Sequence, residues 1–159
     1  MKRDVCVSVL GIQNIGDESE TVLTETSGTY CLENGFHKID YFELDENRTT
    51  IAYHLVFSVS EMQMSKCGAV AGQFHFIPGA ISVADYWAPF GRVVFQVETE
   101  FYKLDVKEHC LDAQIKYRLY TDKRLFSENI ITIRVCENSE DGFGSIKQGG
   151  IINEKNIYF

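Results

Sequence analysis

The chain has 159 residues, 45% of them hydrophobic and 24% charged, which fits one domain with a real core and an ordinary folded composition. A formal net charge of −8 argues against a nucleic-acid or anionic-membrane partner, because both need a basic face. No apolar run approaches transmembrane length.

The first predicted element is a strand over residues 5–13, with Val5, Val7 and Val9 on one face. Its basic opening, Lys2-Arg3, is followed by an apolar stretch that ends by Ile12. No small-residue cleavage site follows, so the segment is read as strand and not as a signal peptide. A turn at Asn14-Ile15-Gly16-Asp17 leads to a long second strand over residues 20–32. Asn34-Gly35 is a hairpin signal, because both residues tolerate the positive φ that a tight turn needs.

A third strand is expected over residues 36–44, then a polar turn at Asp45-Glu46-Asn47. The fourth, residues 48–59, alternates most cleanly: Ile51, Tyr53, Leu55 and Phe57 lie against Ala52, His54 and Val56. Residues 61–67 and 70–77 follow, the latter with Phe74 and Phe76 on one face. Pro78-Gly79 is a second turn signal before a strand at 80–87. Ala88-Pro89-Phe90-Gly91 then breaks the pattern, since proline cannot donate to a central ladder.

Residues 92–106 form a long strand expected to put Val93, Phe95, Val97 and Phe101 on one face. Residues 111–121 and 125–135 close the series, the last with Ile131, Ile133 and Val135 aligned. No amphipathic helix of ordinary length is expected. Short connections between sequential strands favour an up-and-down meander, and closing it removes hazardous edges. The expected fold is all-β, a single antiparallel barrel of eight to ten strands over residues 1–136. Residues 137–159 are read as a glycine-rich polar linker and tail, with residues 150–159 as a segment that either frays or docks into a groove.

The cysteines, Cys6, Cys31, Cys67, Cys110 and Cys136, are odd in number and widely spaced, with no C-x-x-C pair. That pattern reads as reduced thiols in a cytoplasmic protein.

A resemblance enters in the middle of the chain. Lys66-Cys67-Gly68, Gln73-Phe74-His75-Phe76-Ile77-Pro78-Gly79, Tyr86-Trp87-Ala88-Pro89-Phe90-Gly91 and Thr99 follow Tyr41-Phe42-Glu43 and Thr49-Thr50 in a characteristic order. The set resembles the bacterial family of unknown function typified by YwiB. That resemblance covers about residues 3–136 and implies a lipocalin-like barrel of the calycin group. This chain departs from the family pattern at Lys66, where arginine is usual, and at Phe74, where methionine is usual. Ala88-Pro89-Phe90-Gly91 stands where Thr-Pro-Tyr-Gly is usual. The Gly-x-Trp signature of lipocalins is absent from the first strand.

The four histidines, His37, His54, His75 and His109, have no paired metal ligand at helical or knuckle spacing, and His75 is expected to point outward. His109 and Cys110, as sequence neighbours, point to opposite faces of a strand, so they make a poor nucleophile pair. No catalytic residue, metal site or cofactor is assigned.

Tyr41, Glu43, Lys66, Tyr86 and Thr99 form the candidate ligand-binding polar set, joined by Phe74 and Phe90. Glu43 and Lys66 form either a salt bridge at the rim or outer face, or an internal anchor for a ligand head group. In the latter case Phe57, Met62, Met64, Phe74, Phe76 and Phe95 make an apolar sleeve or a solid core. The leading expectation is a non-enzymatic barrel that binds a small apolar or amphipathic ligand. The alternative is a packed barrel that assembles, for instance as a homodimer, through its outer surface or its C-terminal segment.

Overall fold

The computed structural model describes residues 2–45 and 47–138, and these form one closed antiparallel sheet. The strands are β1 (Arg3–Ile15), β2 (Glu18–Glu33), β3 (Phe36–Leu44), β4 (Thr50–Phe57) and β5 (Met62–Gly68). They continue with β6 (Ala71–Phe76), β7 (Ile81–Ala88), β8 (Gly91–Val106), β9 (Cys110–Thr121) and β10 (Arg124–Glu137). Each strand pairs with the next, and β10 returns to β1 to close ten strands into a barrel. Among the described residues there is no helix long and apolar enough to cross a membrane. Of the tail expected over residues 137–159, Glu137 instead ends β10, and residues 139–159 lie outside the described residues.

The expected turns are built as their residues allow. Asn34 and Gly35 adopt φ of 54° and 82°, which joins β2 to β3 by a two-residue hairpin. Asp122 and Lys123 do the same between β9 and β10, at 50° and 62°. The connection after Pro78-Gly79 is different. Gly79 donates its N–H to the Thr99 carbonyl, and β6 meets β7 in register only at Ala71–Trp87 and Gly72–Tyr86.

The core follows the parity of the strands. Leu55, Phe57, Met62, Phe76, Val97, Ile115, Leu119, Ile131 and Ile133 are essentially inaccessible. Two bulges change that parity. On β8 the register shifts between Thr99 and Phe101, and on β10 between Leu125 and Ser127. Each bulge inserts one residue and turns every later side chain to the other face. The expectation that Phe101 shares the face of Phe95 and Val97 is therefore corrected: Phe101 is exposed, and Tyr102 and Leu104 turn towards the core instead. On β10, Phe126 packs on Phe95 with ring centroids 5.4 Å apart while Leu125 faces solvent.

The expectation of five reduced thiols is also corrected. Cys110 and Cys136 are disulfide-bonded, whereas Cys6, Cys31 and Cys67 are free. The bonded pair lies directly opposite across β9 and β10, with Cα atoms 4.1 Å apart. A separation of 26 residues in sequence hides a contact that the ladder makes immediate.

Candidate functional site

Alternation on β3, β4 and β5 turns Tyr41, Glu43, Tyr53 and Lys66 into the barrel, where all are buried. Tyr41, Tyr53 and Lys66 occupy one rung across the three strands, and Gly72 and Tyr86 extend it onto β6 and β7. The Tyr41 and Tyr53 rings stack with centroids 4.8 Å apart. Lys66 Nζ sits 5.4 Å from the Tyr53 ring centroid and 5.7 Å from that of Tyr86. Gly72 makes room for this arrangement, since a Cβ there would come within 2.8 Å of Tyr86 Cδ1.

Glu43 accepts a hydrogen bond from Thr24 Oγ1 at 2.5 Å, and Tyr53 hydrogen-bonds it as well. Lys66 Nζ makes no hydrogen bond among the described residues. Burial lowers the Lys66 pKa to about 7, against the opposing pull of the Glu43 charge. Burial likewise raises the phenols of Tyr41 and Tyr53, and Glu43 pushes them further in the same direction. The carboxylate and the ammonium are thus both internal and not a rim salt bridge.

Of the seven expected ligand-binding residues, Tyr41, Glu43, Lys66, Phe74, Tyr86 and Thr99 are brought into the interior. Phe90 is not, and its placement is corrected: it is 66% exposed, in the turn that Gly91 carries between β7 and β8. Of the two readings for Phe57, Met62, Met64, Phe74, Phe76 and Phe95, the ring contacts favour a core: all six are buried. Phe74 lies 6.3 Å from Phe76 and 5.9 Å from Tyr86 between ring centroids, and Phe76 lies 4.6 Å from Tyr117. Beside Glu43, Thr24, Tyr41 and Tyr53 the remaining space is about 20 Å³, enough for a water molecule and no more.

Gln13, Ser127 and Asn129 are buried polar residues that sequence reasoning missed. Gln13 faces Asn129 across the β1–β10 seam, and Asn129 donates to Ser127 Oγ at 2.9 Å. Their parity was the available signal, since Gln13 continues the face of Val5 and Val7, and Ser127 and Asn129 that of Ile131 and Ile133.

The larger opening is at the barrel end where β1 begins and β10 finishes. A cleft of about 360 Å³ lies there between Arg3, Val5, Tyr30, Leu32, His37, the turn from Val106 to His109, Leu111, Val135 and Glu137. Buried Val5, Leu111 and Val135 form its apolar floor. Its rim is polar. The Tyr30 hydroxyl lies 2.7 Å from His37 Nδ1, and burial lowers the pKa of that ring, so it is neutral near pH 7. Glu137 joins Arg3 at 2.5 Å and His109 at 3.0 Å, and the His109 hydrogen bond is the main cause of its lowered pKa. His54 and His75 lie elsewhere, bonded to Asp40 and Glu61. Among the described residues no cluster of three or more His, Cys, Asp or Glu is placed to hold a metal ion.

A search of curated proteins returns no match. Among solved structures, the ywiB protein from Bacillus subtilis is similar, with a TM-score of 0.77 and 19% identity over 87% of this chain and 94% of that one. At that identity the likeness speaks for the fold alone. The model of the family described as "Domain of unknown function (DUF1934)" matches residues 7–133, from β1 into β10, and the chain belongs to that family.

Proposed function

We propose that this barrel binds a small amphipathic molecule at its open end, with the apolar part on Val5, Leu111 and Val135. The polar end would meet the rim formed by Arg3, His37 and His109. The observation that carries this reading is the cleft of about 360 Å³, within the size range of small-molecule sites, with an apolar floor and a few polar groups around it. With the Tyr30 hydroxyl donating to His37 Nδ1, the ring proton sits on Nε2 and is a donor for an acceptor head group. Tyr41, Glu43, Lys66, Phe74, Tyr86 and Thr99 then support the wall from within and do not touch the ligand.

Titration with an anionic apolar fluorophore, anilinonaphthalene sulfonate, tests this reading. Val106 lines the cleft yet is 53% exposed, so Val106→Trp fills the cleft without disturbing the core. Saturable binding that Val106→Trp weakens at least tenfold supports the proposal. Absence of binding, or equal binding by the variant, overturns it.

A second reading, a packed barrel that self-associates, is favoured by the outer face of β7 and β8. Ile81, Val83, Trp87 and Val94 are exposed there, and Phe90 is exposed in the turn that joins the two strands. If that face pairs two copies, Trp87→Glu turns a dimer into a monomer in sedimentation.

A further inference from the structure

Cys6, Cys136 and Cys110 stand on one rung of the sheet. Cys6 on β1 is opposite Cys136 on β10, and Cys136 is opposite Cys110 on β9. Val5, Val135 and Leu111, their immediate neighbours, point inward and are buried, so by alternation the three sulfurs share the outer face. Residues opposed on successive strands lie on a line perpendicular to the strands, and Cys136 occupies its middle. A thiolate attacks a disulfide along the sulfur–sulfur axis, from the side away from the leaving sulfur. Cys6 is placed on that side of Cys136.

The ladder also explains which pair is bonded. Glu137 N–H donates to the His109 carbonyl, so Cys110–Cys136, one residue along, is a closely spaced non-hydrogen-bonded pair. Asn138 N–H donates to the Asp4 carbonyl, so Cys6–Cys136, two residues along, is a wider hydrogen-bonded pair. The resting disulfide is accordingly Cys110–Cys136. Cys6 remains a thiol, partly buried, that donates to Asn138 Oδ1 at 3.8 Å.

We propose that this rung is a thiol–disulfide exchange site, in which Cys6 attacks Cys136 and carries the disulfide from the β9–β10 pair to the β1–β10 seam. The Cys6 thiol first gives its proton to water. Its thiolate forms the bond to Cys136 Sγ as the Cys136–Cys110 bond breaks, and the electron pair leaves on Cys110 Sγ, which takes up a proton. One disulfide and one thiol are present before and after, so no oxidant is consumed. The product staples the first strand to the last and leaves a free Cys110 beside the end cleft, which Cys110 lines. Burial raises the Cys6 pKa, which makes the thiolate scarce at neutral pH and the exchange faster as pH rises. The charged outward neighbours in register are Asp4 on β1, Glu25 on β2, and Arg134 on β10.

The test is disulfide mapping by mass spectrometry in the full chain carrying Cys31→Ser and Cys67→Ser, incubated without reductant and then trapped with N-ethylmaleimide. Cys6–Cys136 peptides together with alkylated Cys110 are expected as a minor species beside Cys110–Cys136. They should appear about tenfold faster per pH unit between pH 7 and pH 8. Adding Cys110→Ser and oxidising with diamide should give Cys6–Cys136 as the main product, and adding Cys136→Ser should give no disulfide. Mapping that finds Cys110–Cys136 alone at every pH, or a Cys110→Ser protein that never links Cys6 to Cys136, overturns the proposal. The circular dichroism of each variant is checked for retained sheet, and the wild-type rung decides if a variant has unfolded.

Discussion

Glu43 and Lys66 share the interior of the barrel, yet the carboxylate is hydrogen-bonded to Thr24 while the amine makes no hydrogen bond among the described residues. The Tyr53 ring, on the strand between them, takes the place of a direct salt bridge for Lys66. Ring contact replaces only part of the hydration that an ammonium loses on burial.

Stability should therefore depend on pH through Lys66. Its folded pKa of about 7 is below that of an unfolded lysine, near 10.4, so between those values the unfolded chain binds more protons. Stability rises with pH across that window, by up to about 1.4 kcal/mol per unit, and the penalty is greatest below it. Tyr41 and Tyr53, with raised pKa values, reverse the trend only when unfolded tyrosines ionise near pH 10. Urea denaturation at pH 7, 8 and 9 should show this rise in the wild type and a flat profile in Lys66→Met. The variant should also be the more stable of the two at pH 7. A flat wild-type profile would contradict the assignment.

Thr24→Val removes one hydrogen bond from a buried carboxylate and leaves an apolar group of the same shape. A loss of about 1–3 kcal/mol is expected in denaturant midpoints. A change below half a kcal/mol would mean that Tyr53 alone satisfies Glu43.

Two phenylalanines of the motif that carried the family resemblance should behave oppositely. Phe74 is 2% exposed and packs on Phe76 and Tyr86, so Phe74→Ala should cost about 3–5 kcal/mol. Phe90, in the exposed turn, should tolerate serine within about 0.5 kcal/mol. Thermal unfolding of the two variants compares them directly.

Gly28 marks a close approach on β2. A Cβ there would lie 2.6 Å from the Asp40 carbonyl oxygen and 3.0 Å from Val7 Cγ2. Because the first contact is backbone, the β2–β3 pair must shift to accept it. Gly28→Ala should destabilise by about 1–3 kcal/mol, read from its urea midpoint.

Much of this architecture is legible in alternation alone. Ile51, Tyr53, Leu55 and Phe57 point one way because successive strand residues must, and Asn34-Gly35 turns because it accepts positive φ. The same parity put Glu43 on the face of Tyr41 and Lys66 on that of Met62 and Met64, but it left open which way those faces point, and closure of the barrel turns them inward. Parity fails at the bulges, where Glu100 and Phe126 are inserted, because a bulge leaves no period of its own and Phe101 continues the pattern by composition. The end cleft was illegible for a different reason. Arg3, His37, His109 and Glu137 come from the ends of different strands and turns, and the registers of β1 on β10, β9 on β10, β1 on β2 and β2 on β3 bring them together. The Cys110–Cys136 pair needed the register of β9 on β10 in the same way.

The most direct measurement of the central claim is a native mass spectrum of the full chain, purified without denaturant, set against its denatured mass. A ligand held at the barrel end gives extra mass per chain that disappears on denaturation and is reduced in Val106→Trp. A bare chain, which also fails to take up an added amphipathic molecule, would contradict a ligand site at the barrel end.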